Sequence, residues 1–152
     1  MPEMYGSREV ETGLGIKPAT LRHYADRLHV APHGRSGKAR QWTFTDIVLI
    51  LIAQSLVDRR NFATPIAIEL AQAMEPALVP LTVDENASAW LVAWPDLSRP
   101  GRHHHKLCFN AKDALDAMDP SLSPMAFDVR PWVEEAVRLG FAARGHGSEQ
   151  DD

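Results

Sequence analysis

The stretch GIKPATLRHY, residues 15–24, decides the fold of the N-terminal half of this 152-residue chain. Pro18 stands where a first helical turn begins, because the missing N–H of proline has no intrahelical partner at that position. Leu21 and Leu28 recur at helical spacing, so both can face a core. The spacing predicts a short amphipathic helix from Pro18. Its outward side chains are Lys17, Arg22 and His23.

The residues before this helix predict a second short helix and a tight turn. Glu9 and Val10 begin a segment that breaks at Gly13 and Gly15. Glycine ends helices because it tolerates the left-handed backbone conformation. Two short helices joined by a tight turn are therefore expected, the second being of the recognition type.

A glycine-rich, cationic segment follows, HGRSGK at residues 33–38, between Pro32 and the strand-like RQWTF at 40–44. This pattern is typical of a hairpin, which we interpret as a wing. Thr45 is the expected N-cap of the next helix, with Asp46 near the positive end of the helix dipole. That helix continues through Leu56 and is apolar nearly all round, so it must be buried.

Charge is unevenly distributed along a chain whose net charge is −4. Residues 1–64 hold nine Lys and Arg against six Asp and Glu, whereas residues 65–152 hold seven against fourteen. Between residues 13 and 45, six cations accompany one carboxylate, Asp26. A basic segment inside an acidic protein indicates contact with phosphate, and the acidic remainder limits non-specific binding. A lone cysteine, Cys108, and no apolar run of about 18 residues indicate a cytoplasmic protein without a membrane span.

Several spaced motifs together resemble the MerR-type winged helix-turn-helix over about the first 74 residues. They are Tyr5, Glu9-Val10, the stretch 15–24, RQWTFTDI at 40–47 and NFATPI at 61–66. The resemblance implies that the helix from Pro18 lies in the major groove and that the wing touches the adjacent backbone or minor groove.

The resemblance also implies a set of DNA-contacting residues. Base edges are expected to be reached by Lys17, Ala19, Thr20 and His23. Phosphate contacts are implied for Arg22, Tyr24 and Arg40. Arg35 and Lys38, on the flexible wing, are expected to contact the curved DNA backbone through their charge alone. Trp42 replaces a family tyrosine, and its expected role is to pack the wing onto the core.

The sequence departs from the family in three respects that limit the comparison. Lys17 stands where a capping serine is usual, so a cation lies at the positive end of the helix dipole, which a phosphate contact explains better than stability. The long dimerising helix and the paired-cysteine metal site of the full-length regulators are absent. Neither metal sensing nor a bound cofactor is therefore expected.

The second half predicts a small α+β region. Thr64-Pro65 opens a helix over 66–74, which Pro76 and Pro80 are expected to end. Strands are predicted at 89–94 and 106–109, a short helix capped by Asn110 up to Met118, and a final helix from Asp128 to near Gly140. The expected division is 1–76 for DNA binding, 77–144 for oligomerisation or an effector, and 145–152 as a disordered tail. The fold class is mainly α with small β.

Two clusters in the second half are candidate sites. His103, His104 and His105 with Cys108 form a candidate metal cluster, but adjacent histidines alternate sides in a strand and cannot converge on one ion. Cys108 between two apolar residues is expected to be buried rather than nucleophilic. Trp90 and Trp94 share one strand face, which predicts a core face or a subunit interface, with a ligand pocket as a third reading.

These observations favour a sequence-specific double-stranded DNA-binding protein, a bacterial transcriptional regulator acting as a homodimer or higher oligomer. Alternatives are a phage-type excisionase or small terminase subunit, and a protein-interaction adapter that has lost DNA binding. An enzyme is not expected, because the sequence contains no phosphate loop, catalytic triad order or spaced metal ligands.

Overall fold

The computed structural model describes residues 4–28 and 41–141. The wing residues Arg35, Lys38 and Arg40 and the predicted tail 145–152 lie outside the described residues. The described chain is mostly helical with two small antiparallel sheets, as predicted. Its helices are α1 (Ser7–Leu14), α2 (Pro18–Leu28), α3 (Phe44–Arg60), α4 (Thr64–Val83), α5 (Ala111–Asp116) and α6 (Arg130–Arg138). Its strands are β1 (Tyr5–Gly6), β2 (Gln41–Trp42), β3 (Trp90–Pro95), β4 (His103–Cys108) and β5 (Met125–Asp128).

The predicted pair of helices with a tight turn is confirmed in α1 and α2. Gly15 ends α1 with a left-handed backbone, φ 68°, and its N–H donates to the carbonyl of Glu11. The N–H of Ile16 donates to the same carbonyl at 3.1 Å, and Ile16 is buried beneath the turn. Helix α2 begins at Pro18, and Leu21 and Leu28 face the core.

Strand β2 is held against the N-terminus of the described chain. It pairs with β1 in the register Tyr5 to Trp42 and Gly6 to Gln41. Trp42 is 1% exposed, and its indole Nε1 donates to Ser7 Oγ at 3.1 Å. The predicted packing role of Trp42 is confirmed.

Helix α3 starts two residues earlier than predicted and ends four residues later. Its N-cap is Thr43 rather than Thr45, because β2 leaves Thr43 extended with its hydroxyl free to accept from the N–H of Asp46 at 3.1 Å. The Asp46 carboxylate in turn accepts from the N–H of Thr43 at 3.0 Å, which completes a capping box. The helix passes Leu56 and reaches Arg60, where Asn61 ends it in the left-handed region at φ 61°.

Helix α4 contradicts the prediction that Pro76 and Pro80 end helical structure. It runs unbroken from Thr64 to Val83. An interior proline costs about 3 kcal/mol in a helix, but both rings lie on the exposed side while eight other side chains of the helix are buried. Burial of those side chains outweighs the two lost hydrogen bonds. The predicted boundary between residues 76 and 77 therefore falls inside α4.

By length and hydropathy alone α4 could cross a membrane. Its buried residues instead form part of the central core together with α3. These residues are Ala67, Ile68, Leu70, Ala71, Met74, Ala77, Leu78 and Leu81. The apolar character of α4 is accounted for by this packing.

The second half adds a three-stranded antiparallel sheet in the order β4-β3-β5. Leu91 and Ala93 of β3 face the central core, whereas Val92 on the other face packs with Cys108 and Ala114 of α5. Strand β5 was not predicted. Asn110 caps α5 as expected, its side chain accepting from the N–H of Asp113 at 2.8 Å.

Helix α6 begins two residues later than predicted. Asp128 ends β5, and its carboxylate accepts from the N–H of Arg130, the first residue of the helix, at 3.3 Å. After the helix, Phe141 packs edge-on against Tyr5 with 5.1 Å between ring centroids. Phe141 therefore packs the end of the described chain against the N-terminal helix pair.

Gly13 is the point on α1 where Phe141 makes its closest approach. A Cβ at this position would lie 2.4 Å from Phe141 Cζ, well inside van der Waals contact. Alanine favours a helix over glycine by up to about 1 kcal/mol, but displacing the ring costs about 1–3 kcal/mol. We expect Gly13→Ala to lower the free energy of unfolding, measured by urea denaturation.

The matched control for Gly13→Ala is the same change in a Phe141→Ala background. With the ring removed, the helix propensity of alanine acts alone, and Gly13→Ala becomes stabilising by up to about 1 kcal/mol. Equal effects of Gly13→Ala in the two backgrounds would contradict the contact.

Candidate nucleic-acid interface

The surface most suited to DNA is the outward face of α2. Lys17, Ala19, Arg22 and His23 are exposed, and Thr20 is half-buried. The carbonyl of Lys17 accepts from the N–H of Leu21 at 3.0 Å, so Lys17 is the residue immediately before the first turn. Five of the predicted base and phosphate contacts therefore lie together on one helix and its N-terminus.

The electrostatics of this face suit an anion. Lys17 and Arg22 form no ion pair within residues 4–28 and 41–141, so both charges are available to a partner. The positive end of the α2 dipole coincides with Lys17, an arrangement that is unfavourable alone and is relieved by phosphate. Among the described residues, neither Lys17 nor Arg22 has an ion-pair partner.

A shallow groove runs beside this face and joins the start of α1, the start of α2 and strand β2. Its lining is formed by Ser7, Glu11, Pro18, Leu21, Arg22 and Trp42. The lining contains one cation, Arg22, and one carboxylate, Glu11. Because Glu11 repels phosphate, backbone contact is favoured at the Arg22 side of the groove.

Tyr24 lies on the buried side of α2, and its phosphate contact stays a prediction. Its side chain is only 5% exposed and packs in the core beside the ring of His23, with 5.8 Å between centroids. Burial raises the pKa of the Tyr24 hydroxyl above its usual value, and the Asp58 carboxylate raises it further. Tyr24 therefore anchors α2 to the core, and its ring is not on the outward face with Lys17 and Arg22.

Arg8 is a candidate that the sequence analysis missed. It lies exposed in the first turn of α1, next to Ser7 of the groove. In helix-turn-helix proteins the first helix crosses the DNA backbone. A cation at the start of α1 is therefore the sequence feature that indicates Arg8 as a phosphate contact. The wing residues Arg35, Lys38 and Arg40 lie outside the described residues, and their DNA contacts stay predictions.

The histidine and cysteine cluster is divided between the two faces of the sheet. His104 and Cys108 pair with Trp94 and Trp90, whereas His103 contacts Phe62 on the helical side, with 6.1 Å between ring centroids. Among the described residues, no group of three or more His, Cys, Asp or Glu side chains could hold a metal ion.

Cys108 is buried, as predicted, with 2% of its surface exposed. Burial raises the pKa of its thiol above the usual value, and Asp113 adds to the rise while Lys106 opposes it. Since the thiolate is the reactive form, we expect Cys108 to react with a thiol-specific reagent at least about tenfold more slowly in the folded protein than in urea. Equal rates in the two states would contradict this burial.

Trp90 and Trp94 are half-buried around the small cluster of Val92, Cys108 and Ala114. Trp94 also stacks on His104, with 5.8 Å between ring centroids and 30° between ring planes. The predicted core-face role is therefore confirmed. Their roles in a subunit interface or a ligand pocket stay predictions.

Comparison with known proteins agrees with this geometry. The profile of the MerR HTH family regulatory protein matches residues 5–73, which span β1 to most of α4. No curated protein sequence matches the chain. The helix-turn-helix formed by α1 and α2, the outward cations of α2 and the profile match coincide on the same segment, and residues 5–73 are a MerR-type helix-turn-helix region.

Proposed function

We propose that this protein is a sequence-specific double-stranded DNA-binding transcriptional regulator that acts in the bacterial cytoplasm. Helix α2 enters the major groove, where Lys17, Ala19, Thr20 and His23 read base edges. Arg22, with Arg8 on α1, contacts the sugar-phosphate backbone. The predicted wing, whose charged residues 33–40 lie outside the described chain, is expected to contact the neighbouring groove, and the protein acts by occupying its operator rather than by catalysis.

The observation that carries this proposal is the outward face of α2. Its exposed cations have no ion-pair partner in the described parts of the chain, and they lie within the MerR-type region. A solvated surface helix of an acidic protein gains nothing from leaving Lys17 uncompensated at the positive end of its dipole. A phosphate backbone supplies the missing negative charge.

A homodimer is part of the proposal. One helix-turn-helix contacts only a few base pairs, so specificity requires two copies on related half-sites. The second half of the chain, residues 77–144, is the proposed oligomerisation or effector region.

Affinity capture of genomic fragments with the purified full chain, followed by sequencing, tests the proposal. We expect a small set of enriched fragments that share an inverted repeat, with half-site centres about 10 base pairs or a multiple apart. Recovery of fragments in proportion to their abundance would contradict sequence-specific binding. An enriched site with no repeat would contradict the homodimer and leave the DNA-binding proposal in place.

A further inference from the structure

The exposed face of the second half of α4 is almost entirely apolar. From residue 73 to residue 83 the exposed side chains are Glu75, Pro76, Val79, Pro80 and Val83. Val79 and Val83 are 60% and 67% exposed. At about 100° per residue, all five fall on one side of the helix, opposite the side chains that the core buries. A surface helix normally presents polar side chains to water, so the four apolar residues form an uncovered surface, the α4 stripe.

The N-terminal end of the α4 stripe is bordered by the end of α2, which carries a cation. Gln72 lies one turn before Pro76 on the same side of α4, and its Nε2 donates to the carbonyl of Arg27 at 3.4 Å. The Arg27 side chain is exposed and forms no ion pair within residues 4–28 and 41–141. This contact therefore holds a cationic residue without a counter-charge beside one end of the stripe.

The C-terminal end of the stripe runs into an acidic turn whose backbone is fixed. Asp84 directly follows the stripe, and its carboxylate accepts from the N–H of Asn86 at 2.8 Å. The Arg130 guanidinium donates to the carbonyl of Asp84 at 2.9 Å and to that of Ala87 at 3.0 Å. Arg130 thus holds the turn through carbonyl groups, and neither Asp84 nor Glu85 has an ion-pair partner among the described residues.

Opposite charges at its two ends make the α4 stripe complementary to itself. In a two-fold symmetric pair with antiparallel helices, an axis at Val79 brings Gln72 of one copy opposite the turn at residues 84–86 of the second copy. Arg27, beside Gln72, then lies against Asp84 and Glu85 of the second copy, and the same contact forms at the other end. A parallel pair would instead bring like charges together.

We infer that the α4 stripe is the homodimer interface, where two copies of α4 pack antiparallel about a two-fold axis at Val79. The inference rests on the proposed function, since it names the surface through which the proposed homodimer forms. Apolar side chains leave water at the centre, and Arg27 with Asp84 and Glu85 of the second copy sets the register at each end. Glu75 lies at the edge of the stripe, where its carboxylate stays in solvent. Because α2 borders the stripe, this pairing also sets the relative positions of the two α2 helices.

The test measures the molar mass of the full chain by sedimentation equilibrium from about 1 to 100 μM, the range in which a small interface dissociates. The variant is Val79→Glu, which places two like charges at the symmetry axis. Its control is Val137→Glu, the same replacement at a valine of α6 that is 51% exposed. We expect a monomer–dimer equilibrium for the unmodified chain and the control, and a dimer Kd at least about tenfold higher for Val79→Glu.

A charge exchange tests the antiparallel register independently of the apolar stripe. Arg27→Glu should raise the dimer Kd about tenfold, because it sets carboxylates against one another at both ends of the interface. The double variant Arg27→Glu/Glu85→Arg restores opposite charges and should return the Kd to within about threefold of the original value. Arg27→Glu/Glu134→Arg is the control, since Glu134 is an exposed carboxylate of α6 and should give no rescue.

Three outcomes overturn the inference. The first is an unmodified chain that stays monomeric throughout the concentration range. If that monomer floats with phosphatidylglycerol vesicles and Val79→Glu does not, the stripe binds a lipid surface instead. The second is an equal effect of Val79→Glu and Val137→Glu, which assigns the dimer to another surface. The third is a double variant that is no better than its Glu134 control, which excludes the antiparallel register.

These outcomes are distinguishable from a failure of the proposed function. A dimer that dissociates in Val79→Glu but enriches no genomic fragment supports the interface and contradicts sequence-specific DNA binding. Enrichment of specific fragments by a chain that stays monomeric overturns the interface and leaves DNA binding standing. Circular dichroism of each variant confirms that folded proteins are compared.

Discussion

Replacing Lys17 and Arg22 together by glutamine is expected to weaken binding to the captured operator about 100-fold. A hydrogen bond to a charged group contributes about 1.5–3 kcal/mol, and about 1.4 kcal/mol corresponds to a tenfold change in Kd. Both side chains are exposed and without ion pairs in the described chain, so their removal leaves the fold intact. The measurement is the Kd from electrophoretic shifts at one stated salt concentration.

The pattern of loss distinguishes the two residues. Because Arg22 is proposed to contact a phosphate, replacing it alone should weaken binding to all DNA sequences equally. Replacing Lys17, at the N-terminus of the recognition helix, should also reduce the binding free-energy difference between the preferred base pair and the others by about 1–3 kcal/mol. An operator affinity that survives the double replacement would show that α2 does not face the duplex, and the adapter interpretation would then be preferred.

Replacing Trp42 by alanine is expected to cost about 3–5 kcal/mol of unfolding free energy. The indole is 1% exposed and joins β2 to the start of α1 through Ser7. Small domains are stable by only about 5–15 kcal/mol, so this one change removes a large share. Urea denaturation followed by circular dichroism measures the loss without depending on tryptophan fluorescence.

Two milder changes separate packing from hydrogen bonding at this position. Ser7→Ala removes only the acceptor of the indole N–H and should cost about 1 kcal/mol. Trp42→Phe keeps most of the apolar contact and should cost about 1–2 kcal/mol. A loss below about 1 kcal/mol for Trp42→Ala would contradict its place in the core.

The N-terminal half was predictable because its signals are local. Pro18 at a helix start, glycine at a helix end and the spacing of Leu21 and Leu28 each follow from backbone geometry over a few residues. The face that carries Lys17 and Arg22 follows from the same spacing. The burial of Tyr24 follows from its spacing from Leu21 and Leu28, whereas its phosphate contact rests on the resemblance alone and stays a prediction.

The errors in the second half arise where tertiary packing overrides local preference. Pro76 and Pro80 oppose a helix locally, but the burial of residues such as Met74 and Leu78 in the core shared with α3 keeps α4 helical through both prolines. Strand β5 is four residues long and is defined by pairing with β3, so its sequence carries little periodicity.

The continuity of α4 has a consequence for the engineering of chimeric regulators. A fusion that joins residues 1–76 to a foreign effector module would sever this helix after Pro76 and remove Leu78 and Leu81 from the surface they cover. The fragment would also lack Phe141, which fills the space beside Gly13. A transplantable helix-turn-helix cassette from this protein therefore needs either the whole chain to Phe141 or polar substitutions at the positions of α3 and α4 that the cut would expose.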